Sequence, residues 1–119
     1  MHFADYQKLS TATAIYPGKG TIMGLAYVSL GANGEAGEIA EYVKKAWRDD
    51  NIETVDGENY YVGDERRRKI LNEVGDTLWY LSQICEELDA SLGQVAEANI
   101  QKLADRRERD AISGEGDDR

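Results

Sequence analysis

An all-α fold, a bundle of four to five helices, is predicted by three features of the sequence. Apolar residues recur at steps of three and four over long stretches; β-branched residues are scattered, with no two-residue hairpin turn between alternating runs; and a single proline, Pro17, breaks the chain. The length of 119 residues suffices for one core and not for two. Residues 1–112 are therefore read as a single helical domain and 113–119 as a tail that is mobile or ordered by a partner. With 41% hydrophobic and 31% charged residues the chain is globular, but its core is thin enough that subunit association would add burial.

The elements follow in order. Tyr6, Leu9, Ala12 and Thr13 share a helical spacing within Asp5 to Ile15, a short first helix in need of tertiary support. Tyr16-Pro17-Gly18-Lys19-Gly20 ends it. A second helix starts near Thr21 and carries Leu25, Val28, Ala32, Ala36, Ile39, Val43 and Ala46 on one stripe, with Gly31, Asn33 and Gly34 expected to bend it. Periodicity fails from Asp49 to Asp64, where Asp56-Gly57 and Gly63-Asp64 read as turns in a polar connector. It resumes from Arg66 to Ala90 through Ile70, Val74, Leu78, Leu81, Cys85 and Leu88. Ser91 is an N-cap, with Gln94 at the capping-box position, for a last helix through Val95, Ile100 and Leu103.

Composition excludes several function classes. A net charge of −9 lacks the basic footprint that general nucleic-acid or membrane-surface binding requires, and acid clusters instead favour divalent cations. One cysteine, Cys85, and one histidine, His2 at the chain end, rule out an intrachain disulfide, a cysteine-based zinc set and Ser-His or Cys-His nucleophiles. No signal pattern opens the chain and no apolar run approaches the roughly 18 residues of a membrane span, so a cytoplasmic setting is expected. Gly18-Lys19-Gly20-Thr21 resembles the end of a phosphate loop but lacks the earlier glycine and the preceding strand.

The informative feature is a repeat. Glu35-Ala-Gly37-Glu38-Ile-Ala-Glu-Tyr42-Val43 aligns without gaps to Glu73-Val-Gly75-Asp76-Thr-Leu-Trp-Tyr80-Leu81, repeating acid, glycine, acid, tyrosine and an apolar residue. At about 100° per residue, Glu35 and Glu73 stand on the shoulder of their apolar stripes and Glu38 and Asp76 about 60° farther out. Antiparallel pairing of the second and third helices brings the two acidic devices opposite one another. Four carboxylates converging without cations repel one another and lose solvation; oxygen ligands with no nearby His or Cys point to magnesium, or manganese. Gly37 and Gly75 each weaken their helix by roughly 1 kcal/mol relative to alanine, which suggests close approach of a backbone or a ligand.

Cations lie on neighbouring faces. Lys45 falls two turns after Glu38, and Asn99, Lys102 and Arg106 share one face of the last helix. They read either as a solvated face or as a grip on a phosphate chain that bridges the metals. Arg66-Arg-Arg-Lys69 reads as a solvated charge run with a poor match to the helix dipole. Tyr27, Tyr42, Trp47, Trp79 and Tyr80 are expected in the core, with one of them free to stack on a base.

Glu-x-x-Glu at Glu35 and Glu38, Glu-x-x-Asp at Glu73 and Asp76, and Asn-x-x-Lys-x-x-x-Arg at Asn99, Lys102 and Arg106 together resemble the all-α nucleoside triphosphate pyrophosphohydrolases of the MazG type. The resemblance runs from about Tyr6 through the tail, and the compact form with its Gly-Glu-Gly-Asp-Asp-Arg ending looks like phage-encoded members. It implies hydrolysis between the α and β phosphates of a nucleoside triphosphate, giving monophosphate and pyrophosphate with Mg2+ (or Mn2+) held by Glu35, Glu38, Glu73 and Asp76. Lys45, Asn99, Lys102 and Arg106 then position phosphates or sugar. It also implies a homo-oligomer, a dimer or a dimer of dimers, in the cytoplasm of the host where the chain is phage-encoded. The connector is longer than in the most compact members and offers Glu53, Asp56 and Glu58 as an added ligand or a lid. A dUTPase or phosphoribosyl-ATP pyrophosphatase of the same fold uses the same metal logic, and a non-enzymatic helical interaction module stands as the reading of a different class.

Overall fold

A computed structural model describes residues 1–50, 52, 60–109 and 111–116. These residues form four helices and no strand: α1 (Phe3–Thr11), α2 (Ile22–Asp49), α3 (Asp64–Glu87) and α4 (Leu92–Glu108). The expected turn at Asp56-Gly57, the acids Glu53, Asp56 and Glu58, and the last three residues of the tail lie outside the described residues.

Local chemistry sets the ends. The Asp5 carboxylate accepts the His2 backbone N–H at 3.3 Å, which starts α1 before the expected Asp5. It stops at Thr11 rather than Ile15 because Thr11 and Thr13 turn their hydroxyls onto the Gln7 and Ser10 carbonyls and draw the chain into a turn. Thr21 caps α2 by accepting the Met23 N–H at 3.2 Å. α2 then runs unbroken through Gly31, Asn33 and Gly34. At α4 the Ser91 hydroxyl accepts the Gln94 N–H at 3.4 Å, the N-cap expected of that serine.

α2 and α3 form an antiparallel pair that organises the molecule. Gly24 meets Glu87, Gly31 meets the Tyr80 ring, and Asp50 meets Arg66, so numbers rise on one helix as they fall on the other. A Cβ at Gly31 would overlap the Tyr80 ring, and one at Gly24 would overlap the Gly18 carbonyl. Close approach therefore falls at these two glycines and not at Gly37 or Gly75, whose surroundings within 4 Å are open. Of the expected approach of a backbone or a ligand at Gly37 and Gly75, the backbone half is thus not met within the described residues, because helix contact is set by which residue faces the tyrosine.

Glu87 ties off one end of the pair. Its carboxylate accepts the Tyr16 hydroxyl at 2.5 Å and the Gly20 N–H at 3.0 Å, while Gly18 and Gly20 take positive φ values of 73° and 80°. The glycine-rich turn thus presents its amide to the protein's own acid. Burial first, and then this bond, push the Tyr16 hydroxyl pKa up.

Ala14, Tyr16 and Val28 are buried against Trp79, Tyr80 and Ile84. Tyr16 stacks on Tyr27 with ring centroids 5.7 Å apart and meets Trp79 edge-on at 6.2 Å. Trp47 departs from the expected core position and is 78% exposed. α1 buttresses the far end: Gln7 donates to the Ala90 carbonyl at 2.9 Å and accepts the Leu92 N–H at 2.8 Å, holding the α3–α4 turn. α4 touches α1 and α3 but, among the described residues, not α2.

The glycines separate packing from chemistry in a measurable way. Gly31→Ala should lower stability to urea by about 1–3 kcal/mol through overpacking against Tyr80. Gly37→Ala and Gly75→Ala should each raise it by about 1 kcal/mol, since a helical alanine there meets nothing in its own chain.

Candidate metal centre

Glu35 on α2 and Glu73 and Asp76 on α3 converge across the seam, each offering a carboxylate oxygen within 4.8 Å of the others. The register produces this directly: with Gly31 against Tyr80, the next turn of α2 faces the preceding turn of α3. Glu38 lies one turn beyond Glu35 and is exposed. Its charge nevertheless reaches Glu35.

The Glu35 carboxyl is harder to ionise than an ordinary glutamate. Burial is the main cause, followed by the charges of Glu38 and Asp76 and by a hydrogen bond with Glu73. Two tyrosines sense the same field: Tyr6 and Tyr80 are pushed up by burial first, then by Asp76 in the one and by Tyr27, Glu35 and Asp76 in the other. A hollow of about 330 Å³ beside the acids is lined by Thr13, Glu35, Asp76, Trp79 and Tyr80. The Trp79 indole N–H donates to the Thr13 hydroxyl at 2.8 Å, so the turn after α1 closes this side.

The cations sit elsewhere. Lys45 pairs with Glu41 at 3.5 Å and lies over the Tyr42 ring at 5.9 Å. Asn99 and Lys102 are exposed on α4, whose lack of contact with α2 keeps them off the acids of their own chain. Arg106 is 4% exposed and donates to the Gly116 carbonyl at 3.5 Å, which folds the start of the tail back onto α4. The acidic trio is thus assembled within one chain, and the cationic residues are not brought to it. Thr13 and Gln7 carry structural duties that sequence reasoning missed, because single polar residues leave no periodic signal.

An antiparallel helical pair with carboxylates from both helices meeting at its seam places the chain among all-α proteins whose acidic helix faces could hold a metal ion. The MazG nucleotide pyrophosphohydrolase domain matches residues 28–110, and the chain belongs to that family. It is 43% identical to the Gene 37 protein of Mycobacterium phage L5 over 122 aligned positions that cover the whole of both chains. No solved structure matches it. Among the described residues no helix is long and apolar enough to cross a membrane.

The raised Glu35 pKa has a defined sign. An acid harder to ionise when folded subtracts nothing below its unfolded value near 4.5 and subtracts increasingly as pH rises through the higher folded value. In the metal-free protein, the melting temperature of Glu35→Gln relative to wild type should therefore be higher at neutral pH than below about pH 4. Magnesium should raise the melting temperature of wild type and leave that of Glu35→Gln nearly unchanged.

Proposed function

We propose that the protein is a Mg2+-dependent nucleotide pyrophosphohydrolase that cleaves the α–β bond of a (d)NTP to (d)NMP and pyrophosphate. The convergence of Glu35, Glu73 and Asp76 within 4.8 Å, in a chain of this family, carries the reading. The residues suit a hard cation: all donors are oxygens, no histidine or thiol competes, and burial, with the charges of Glu38 and Asp76 added to it, holds Glu35 above its ordinary pKa. Bound Mg2+ supplies polarisation of phosphoryl oxygens and a more acidic water. Glu35, Glu73 and Asp76 are its holders, and the exposed Glu38 completes the set or orients the attacking water. No protein nucleophile is needed, so the side chains bind, orient and accept a proton.

The cationic face of α4 enters from a second copy in this reading. A 13.3 kDa chain folded as a compact monomer exposes about 6,500 Å² and has a radius of gyration near 13.5 Å. This chain exposes 8878 Å² and has a radius of 17.6 Å. Ile15, Ile22 and Leu30 are more than 70% exposed, an apolar surface that a homodimer or dimer of dimers would cover. Asn99 and Lys102, exposed on α4, then serve the phosphates or sugar held by the partner's acids, while the buried Arg106 holds the tail and Lys45 stays with Glu41. The setting is the host cytoplasm.

A panel of standard and modified nucleotides with magnesium, assayed as monophosphate plus pyrophosphate, tests the reaction. Pyrophosphate from at least one triphosphate is expected, with Glu73→Gln and Asp76→Asn lowering kcat/KM by at least about 100-fold, the upper end of what loss of even an outer partner costs a metal site. Absence of pyrophosphate from every nucleotide would refute it. For the α4 assignment, Glu35→Gln and Asn99→Ala chains, each weak alone, should recover about a quarter of wild-type activity when refolded together as mixed dimers, which hold one intact site. Failure to recover would return Asn99 to the solvated face.

A further inference from the structure

The seam that carries the carboxylates continues past them into a larger groove. Between the C-terminal half of α2 and the N-terminal end of α3 lies an open hollow of about 900 Å³, lined mainly by apolar and aromatic side chains including Val43, Trp47, Tyr60, Tyr61 and Ile70. That volume falls among small-molecule sites, roughly 300–1,000 Å³.

Position ties the groove to the acids. Ile70 precedes Glu73 by one turn of α3, about 4.5 Å along the axis, and Val43 follows Glu35 by two turns, about 12 Å. A molecule held by its phosphates at the trio can extend along the α2–α3 seam toward this groove. The hollow on the other side of the acids is about 330 Å³, and its aromatic walls, Trp79 and Tyr80, are committed to packing on the core.

The lining has the chemistry of a base site. Trp47, Tyr60 and Tyr61 are 78%, 71% and 68% exposed, three aromatic rings around one concavity in a protein whose Tyr16, Trp79 and Tyr80 pack inward. Polar groups stand at the rim: the Tyr61 hydroxyl donates to the Asp64 carboxylate at 3.3 Å, and Arg67 lies beside it. Arg66 and Lys69 are engaged by Asp50 and Glu65, whereas the Arg67 guanidinium has no ion pair among the described residues. A flat heterocycle with hydrogen-bonding edges fits such a site: rings to stack on, and one cation and one carboxylate to read an edge.

We propose that this groove is the base subsite of the nucleotide. The heterocycle stacks among Trp47, Tyr60 and Tyr61 while Arg67 and Asp64 bond its edge, and the groove, rather than the acidic trio, sets base preference. The inference rests on the nucleotide reading above. It extends that reading to residues the phosphate chemistry does not use.

Indole fluorescence tests it without hydrolysis. Nucleoside monophosphates of each base, which have no α–β bond to cleave, are titrated into the protein with magnesium, and the Trp47 signal is isolated by difference between wild type and Trp47→Phe. A saturable quench favouring one base is expected, weakened about 5- to 150-fold in Tyr60→Ala, with pyrophosphate alone inert. Should no monophosphate quench Trp47, or should its emission follow protein concentration and ignore nucleotide, the groove is not a base site, and in the second case a second copy covers it. The two readings fail separately. Pyrophosphate release whose kcat/KM ratios between bases are unmoved by Tyr60→Ala and Arg67→Ala overturns the base subsite and leaves hydrolysis standing. Base-selective quenching without pyrophosphate release does the reverse.

Discussion

Repulsion among carboxylates held across the α2–α3 seam is the constraint on which the rest of the molecule depends. The Glu35 carboxyl is raised first by burial in that seam and then by the charges of Glu38 and Asp76 beside it. Left to themselves, two amphipathic helices would slide or splay to part the acids. Fixed contacts at both ends prevent this. The bidentate Arg66–Asp50 pair pins one end. Tyr80 seated on Gly31, with Glu87 clamped to Tyr16 and Gly20, pins the other. Helix register thus converts distributed packing into a local concentration of negative charge at the seam.

α1 belongs to this scaffold although the family match begins at Val28. Gln7 holds the α3–α4 turn, and Ser10 meets the Ser82 hydroxyl at 2.9 Å and accepts from the Gln83 amide at 3.1 Å, all at buried positions. A polar cluster of this kind specifies one alignment better than a greasy contact does, because a slip leaves buried donors and acceptors unpaired. α1 therefore fixes the angular setting of α3, and with it the direction in which Glu73 and Asp76 point. The Trp79 bond to Thr13 carries that setting to the edge of the acidic hollow.

Much of this was legible in the sequence, for reasons that also mark where reading stopped. The 3.6-residue period gave four helices, and the in-register repeat gave the convergence of Glu35 with Glu73 and Asp76, because both signals are local and redundant. Capping at Ser91 was legible because its chemistry spans three residues. Nonlocal pairings were not: Glu87 with Gly20 and Gln7 with Leu92 join single residues 67 and 85 positions apart, with no period or spacing to betray them. Trp47 was read as core because indoles usually are. Its exposure follows from its place one residue past Ala46, which is buried at the seam, so that the indole is turned about 100° away from the stripe.

Gly37 and Gly75 remain the most instructive residues. Each lowers helix stability by roughly 1 kcal/mol, each lies beside a paired acid, and a β-carbon on either would meet nothing within 4 Å among the described residues beyond its own helix turn. Gly31 and Gly24 have an internal reason to lack a side chain; these two have none. Gly34 of α2 shares those open surroundings, so what sets Gly37 and Gly75 apart is their equivalent place in the repeat, each between two acids. Without β-carbons there, the flanks of the acidic seam stay low on both helices. The repeat thus sets, on each helix, an open shoulder between two acids, and the glycines shape the ground that the carboxylates charge.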